Sequence, residues 1–391
     1  MSKVPNTPIG VLIVDDSPFM RLTLQKILSQ DPDFKVLDTA RDGREGIEKL
    51  QALRPQVVTM DVEMPVMDGL QALDEIMRWQ PTPIVILSAV TTEGAQATLK
   101  ALDLGAFDVV VKPSGGPGAD LKALTHDIIE KVKAAAQVDP SRLGKKGLTR
   151  VQARQQFSTA IKGRPEAKTV NPSGISPTLS LPKGTQTAER TGKSVLPKNN
   201  IEIVAIGTST GGPSALQTVL PQLPADFPVP VLVAQHMPPG FTGPLAQRLN
   251  GLSSLNVREG VNGEVLKPGT VYIAPAGKQM QVQKRTGQLF LVIGDESPIP
   301  TLYHPSVDVM FISLAKEVGK GTLGVVMTGM GSDGLKGMKE IKKLDGFAIA
   351  EAEETCVVYG MPRALVDAGL SDRVVPLGEI GKTIVECVIR R

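Results

Sequence analysis

Ser209 stands in the run Gly207-Thr208-Ser209-Thr210-Gly211, a G-x-S-x-G pattern. An apolar stretch over 201–207 precedes it and reads as a buried strand. Pro213 then opens a helix with Leu216, Val219 and Leu220 at helical spacing. Strand, glycine turn and helix are what a nucleophile elbow needs, because the turn holds a small hydroxyl out at the sheet edge beside free helix-terminal N–H groups. The same turn is also compatible with a glycine-rich connection that binds nothing, or with a phosphate or dinucleotide cradle. A nucleotide module is weakened by the lack of a lysine in the turn and of an acid about 20 residues further on. A serine nucleophile requires a base, and the base an orienting group. Of three histidines, His236 closes the apolar run VPVLVAQH at a strand's carboxyl end, His304 lies in the loop LYHPSVDVMF, and His126 sits on a helix of the first half, as a surface or packing residue. Candidate orienting acids are Asp333, just after the buried run GTLGVVMTG, Asp308 as a first-turn helix acid, and Asp345 as a turn residue before Gly346. Gly329 and Gly331 flank Met330, where backbone N–H groups could approach a developing oxyanion.

A second constellation lies near the N-terminus. Asp15 and Asp16 end the run GVLIVDD, Asp61 ends QVVTMD, Ser88 ends PIVILS, and Lys112 ends DVVVK. Carboxylates brought together repel unless a cation joins them, and hard oxygen donors suit Mg²⁺. A lysine and a hydroxyl nearby can hold the other oxygens of a phosphoryl group.

The elements that would position these groups alternate strand and helix over about 130 residues, which predicts a doubly wound parallel sheet with its ligand rim at the strands' carboxyl ends. The pattern resumes over 201–391, with strands expected at 201–207, 229–235, 269–275, 288–294, 321–329 and 346–351. A hairpin-like run over 271–293 turns at Lys284-Arg285-Thr286-Gly287. The fold class is therefore α/β, with two doubly wound parallel-sheet domains. Between them, residues 138–200 lose hydrophobic periodicity and carry 12 Lys/Arg against 3 Asp/Glu. That composition reads as a flexible basic linker, placed at 136–200, between a first domain over 9–135 and a second over 201–391.

The linker also explains the charge. Its net +9, taken from the chain's +3, leaves the remainder at −6, so the basicity marks no nucleic-acid-binding domain; no helix-turn-helix or basic repeat is present either. At 391 residues, 41% apolar and 21% charged, the chain is of ordinary soluble composition. It has no apolar run long enough to span a membrane and no signal-peptide core, so a cytoplasmic location is expected. Cys356 and Cys387 form no disulfide or metal-binding pattern and read as reduced structural thiols.

Residues 9–135 resemble a response-regulator receiver domain, with its flavodoxin-like fold. The likeness rests on Asp15-Asp16, Asp61 in VTMDVEMPVMDGL, Ser88 and Lys112-Pro113. It implies that Asp61 accepts a phosphoryl group from a histidine kinase. It also implies that Mg²⁺ is held by Asp15, Asp16, Asp61 and the backbone carbonyl of Glu63, and that Ser88 and Lys112 are the switch residues. The usual aromatic switch residue has no evident counterpart; Phe107 lies just before the fifth strand. The ordered motifs AIGTSTGGP, AQHMP, YHPSVDVMF and VVMTGMGSDG are similar to the Rossmann-like catalytic domain of the chemotaxis protein-glutamate methylesterases. That resemblance places a triad on Ser209, His236 and Asp333, with the Thr210 region and the Met330 N–H binding the oxyanion, and no cofactor in the catalytic domain. It implies hydrolysis of glutamyl methyl esters on chemoreceptor cytoplasmic domains, deamidation of receptor glutamines, and control by phosphorylation.

Overall fold

The computed structural model describes residues 7–89, 91–112, 121–140, 143 and 196–389. The expected linker lies almost wholly outside these residues, as does Pro113. The first five strands are β1 (Ile9–Val14), β2 (Phe34–Ala40), β3 (Val57–Asp61), β4 (Ile84–Ser88) and β5 (Asp108–Val111). They pair in parallel in the order β2-β1-β3-β4-β5. Between them run α1 (Pro18–Ser29), α2 (Gly43–Leu53), α3 (Gly69–Trp79) and α4 (Thr92–Asp103), with α5 (Leu121–Ala135) after β5. Burial on both faces explains why β1, β3 and β4 read as continuous apolar runs rather than alternating ones. The helix starts were written into the sequence: Ser17, Asp42, Asp68 and Thr91 each cap a helix by accepting from a backbone N–H in the first turn.

The second sheet has seven parallel strands in the order β14-β13-β12-β6-β7-β9-β8. These are β6 (Ile203–Thr208), β7 (Val231–Gln235), β8 (Asn256–Glu259), β9 (Thr270–Ile273), β12 (Thr322–Val326), β13 (Phe347–Glu351) and β14 (Arg373–Val375). The helices are α6 (Gly212–Val219), α7 (Thr242–Leu252), α8 (Val307–Glu317), α9 (Leu335–Lys343), α10 (Met361–Asp367) and α11 (Leu377–Val388). The strand order reverses between β6 and β12, so the crevice outside their carboxyl ends is where such a sheet binds its ligand. The hairpin differs from the sequence reading. Residues 270–273 belong to the parallel sheet, and the hairpin is β10 (Gln279–Arg285) with β11 (Gln288–Gly294), a separate two-stranded sheet turning at Thr286-Gly287 with positive φ at both positions.

Cores lie on both faces of each sheet. The two sheets belong to one compact body. Ala95 and Leu99 of α4 join the apolar cluster that contains Leu216, Phe241 and Leu245, and Val357 and Val358 pack against the core of the first sheet. Cys356 and Cys387 are both buried.

Candidate active site and acidic pocket

The crevice at β6, β7 and β12 gathers the residues singled out in the second half. Ser209 follows β6, and its backbone N–H donates to the Thr328 carbonyl (3.1 Å) beyond β12. His236 follows β7, its N–H donating to the Thr208 carbonyl (3.0 Å), so the ladder itself carries the histidine beside the serine turn. His236 Nε2 lies 2.8 Å from Asp333 Oδ2. With the carboxylate as acceptor, Nε2 carries the proton and Nδ1 is left as the basic nitrogen. The Ser209 hydroxyl has no hydrogen bond among the described residues.

Asp333 is 6% exposed. Its Oδ2 also accepts from the Val307 N–H (2.7 Å), and its Oδ1 from the Asp308 N–H (2.9 Å) and the Ser306 hydroxyl (2.9 Å). Burial opposes its charge, but the His236 bond and charge and these N–H donors outweigh that cost and hold the carboxyl below the ordinary carboxylate range. Asp308 shows the opposite balance. Burial, with the Asp333 charge added, pushes it up to about 6 against the Gly337 and Gly334 N–H groups. As a first-turn acid of α8 it helps shape the α8–α9 junction, and Asp345 sits exposed in a left-handed turn. Neither meets a histidine; His304 and His126 are exposed.

Backbone N–H groups of Thr210 and Met330 donate no hydrogen bond among the described residues, as an oxyanion site requires. Gly329 is needed where the chain passes Ser209: a Cβ there would meet Ser209 Cβ at 2.8 Å and Met361 Sδ at 2.4 Å.

Three participants were not legible in the sequence. Tyr303 stacks on His236 with ring centroids 4.2 Å apart and planes 7° from parallel. Its phenol is pushed above its ordinary value by burial and then by the charges of Asp333 and Glu130. Thr328 accepts from the Val358 N–H (3.0 Å) and donates to the Thr210 carbonyl (2.9 Å) through its hydroxyl, while its N–H donates to the buried Glu351 (2.8 Å). Gln235 is the third. The motif glycines drew attention to the loops, whereas Thr328 and Gln235 act across neighbouring strands and Tyr303 through its stack on His236, contacts that only the fold reveals.

In the first sheet, Asp15 and Asp61 are buried and Asp16 is exposed; one carboxylate oxygen from each lies within 4.8 Å of the others. Lys112 Nζ lies 2.9 Å from Asp15 Oδ2 and 2.6 Å from Asp61 Oδ2. Burial raises Asp61 to about 6 despite Lys112, and the Asp15 charge adds to the rise. Asp15 Oδ2 is wholly buried without a well-directed hydrogen bond. Clustered hard oxygens from three carboxylates fit a small divalent cation such as Mg²⁺. Ser88 is buried at the end of β4 and turns its hydroxyl to the Gly94 carbonyl (3.2 Å). Phe107 is 1% exposed within the first core. Glu63 is exposed, and its backbone N–H bonds to the Asp61 carboxylate.

The two sites are not remote. Asp108, Lys112, His126 and Lys131 of the first half line the same cleft of about 860 Å³ as Ser209, His236, Tyr303 and Met330. The Thr210 hydroxyl donates to Asp108 Oδ2. Asp103 at the end of α4 accepts from Gln217 Nε2 (2.8 Å) and pairs with Arg248.

Fold and side chains define a parallel-sheet protein with a serine-hydrolase-type crevice facing a phospho-acceptor-type acidic pocket. The response regulator receiver domain family matches residues 11–123, and the CheB methylesterase family matches residues 204–384. A protein-glutamate methylesterase/protein-glutamine glutaminase of Desulfitobacterium hafniense is 72% identical over 99% of this chain and 99% of its own. A protein of the same name from Moorella thermoacetica is 44% identical over 98% and 99%. The crystal structure of the Thermotoga maritima CheB methylesterase catalytic domain covers 48% of this chain and 99% of that one, at 42% identity and a TM-score of 0.47. The chain belongs to the protein-glutamate methylesterase/protein-glutamine glutaminase family.

Proposed function

We propose that this protein is a phosphorylation-controlled hydrolase of glutamyl methyl esters, and of glutamine side-chain amides, on chemoreceptor cytoplasmic domains. The reading divides the chain into a receiver domain over 9–135, a basic linker over 136–200 and a catalytic domain over 201–391. The observation that carries it is the His236–Asp333 hydrogen bond at the strand-end crevice that also holds Ser209.

His236 Nδ1 takes the Ser209 proton as the hydroxyl oxygen attacks the ester carbonyl. Asp333 keeps the ring in the required tautomer and stabilises the imidazolium that forms. The oxyanion is met by the N–H groups of Thr210 and Met330. Collapse breaks the bond to the alkoxy oxygen, and His236 returns the proton so that methanol leaves. Water, deprotonated by the same histidine, then cleaves the acyl-serine to give a glutamate side chain and restore the hydroxyl. With an amide, ammonia leaves instead.

Asp61 is the phospho-acceptor, with a histidine kinase as donor, and Asp15, Asp16, Asp61 and the Glu63 carbonyl would hold Mg²⁺. The cation would offset phosphoryl charge; Lys112 and Ser88 would hold its oxygens. The Thr210–Asp108 bond supports control by obstruction, because the first half grips the residue next to the nucleophile. Phosphorylation shifts the equilibrium away from that packing. Among the described residues no helix is long and apolar enough to cross a membrane.

The test is methanol release from methylated receptor membranes, with and without a small phosphodonor plus Mg²⁺. Ser209→Ala is expected to lose on the order of 10⁴-fold in kcat, as removal of a triad nucleophile does elsewhere. Equal release by wild type and Ser209→Ala would end the catalytic reading.

A further inference from the structure

Gln235 is the last residue of β7 and 1% exposed, an unusual burial for a primary amide with four hydrogen-bonding sites. Its Oε1 accepts from the Thr208 hydroxyl (2.5 Å), and its Nε2 donates to the carbonyls of Ser209 (3.0 Å) and His236 (2.9 Å). The two carbonyls fix which end of the amide is nitrogen, since only the –NH₂ group can donate to both. One side chain on the base's strand thus holds the backbone of the serine and of the histidine at once. Because Thr328 O takes the Ser209 N–H, both backbone polar groups of the serine are held from the neighbouring strands, the carbonyl also accepting from the Gly212 N–H (2.8 Å) within the turn. Gly212 gives an independent sign of the same arrangement: a Cβ there would fall 2.0 Å from Gln235 Oε1, so the α6 start is kept bare where the amide sits.

We infer that Gln235 is a positioning residue for hydrolysis, a staple that sets the approach of the Ser209 hydroxyl to His236. The inference rests on the proposed Ser209 mechanism. Without the staple, the Ser209 carbonyl keeps only the Gly212 N–H (2.8 Å) from within its own turn, and the side-chain tie between that turn and the strand that carries the base is lost. Misplacement of reacting groups by about 1 Å can cost about 10²-fold in rate without loss of binding. The effect therefore falls on kcat and not on KM, since the amide is covered and touches no substrate.

The experiment compares full-length wild type, Gln235→Met, Thr208→Val and Ser209→Ala on methylated receptor membranes, each with phosphodonor and Mg²⁺. It also measures the rate at which phenylmethylsulfonyl fluoride labels Ser209. Gln235→Met keeps length and shape but has no donor; it is expected to lose about 10- to 100-fold in kcat with KM within about twofold, and the labelling rate should fall in parallel. Thr208→Val unhooks Oε1 alone and should lose about 3- to 10-fold with the same split; this variant decides the matter if Gln235→Met does not fold. Unchanged kcat and labelling in the folded variants, with Ser209→Ala inactive, overturns the staple and leaves the mechanism standing. Full turnover by Ser209→Ala sinks the mechanism and the staple together.

Discussion

At the scale of single residues, the chemistry depends on how Asp333 stays charged while buried. Four of its contacts are neutral or backbone donors, and the remaining one is the imidazole it serves. Asp333→Asn keeps the shape but presents an amide to groups that all donate, and it favours the wrong histidine tautomer. A fall of about 10³- to 10⁴-fold in kcat is expected, read as methanol release from phosphorylated enzyme. The depressed carboxyl also links to stability. Its contribution is present above the unfolded carboxylate pKa and is lost as pH falls through the lower folded value, so wild type and Asp333→Asn should converge in urea midpoint only below the ordinary carboxylate range. Tyr303 predicts a contrast: Tyr303→Phe keeps the stack on His236 and should stay near wild type, while Tyr303→Ala should lose several-fold in kcat, about 1 kcal/mol for an aromatic contact of this kind. Ser209, His236 and Asp333 were legible because each follows an apolar run or sits among glycines. Gln235 and Tyr303 were not, since a glutamine at a strand end or a loop tyrosine is ordinarily just polar surface.

Among the elements, the order of strands decides what meets what. β6 lies between β7 and β12, so a serine after β6 is served by a histidine from one neighbour and by glycine-rich backbone from the other. Gly329→Ala tests the second contact. Its methyl would press on Ser209 Cβ and Met361, and a loss of at least about 10-fold in kcat is expected, with a stability cost of about 1–3 kcal/mol from overpacking. The first sheet uses the same geometry for acids, with Asp15 after β1 and Asp61 ending β3 across its own switch point. Because burial raises Asp61 to about 6, the folded state favours its protonated form; that contribution is complete below about pH 4 and is lost as pH rises through 6. A cation that needs the charged form restores stability only on the alkaline side. Millimolar Mg²⁺ should therefore raise the urea midpoint at pH 7.5, do little at pH 5, and do little to Asp61→Asn at either pH. The long buried strands announced themselves as apolar runs. β8 and β14 did not, because Asn256–Glu259 and Arg373–Val375 are short and partly polar and owe their strand form to one neighbour each. The extent of the hairpin is not legible in the sequence, because Thr270–Ile273, fully buried, looks the same in a parallel sheet as in a hairpin arm.

For the whole molecule, the question is what holds the first half over the crevice. Sequence patterning gave two α/β halves and the motifs of each, yet the meeting surface was illegible because Asp103 and Asp108 look like ordinary loop and strand-start acids. In the fold they are the polar anchors of that surface: Asp108 takes the Thr210 hydroxyl, and Asp103 takes Gln217 and Arg248. The apolar part, Ala95 and Leu99 with the α6–α7 cluster, supplies attraction without direction. Arg248 is partly exposed, so its pairing with Asp103 is screened and contributes less than a buried pair would. If each anchor contributes about 1 kcal/mol to the closed arrangement, removing one shifts the closed–open ratio about fivefold. Asp103→Ala and Asp108→Ala should each raise methanol release by the unphosphorylated enzyme several-fold, and the double variant should approach the product of the two, because the anchors share no partner. The rate with phosphodonor should remain that of wild type, since neither acid belongs to the triad, so the stimulation ratio shrinks from its lower end. A double variant with unchanged basal rate would show that the contact surface does not restrain activity. One whose phosphorylated rate falls in step would assign Asp108 and Asp103 to the fold of the crevice instead.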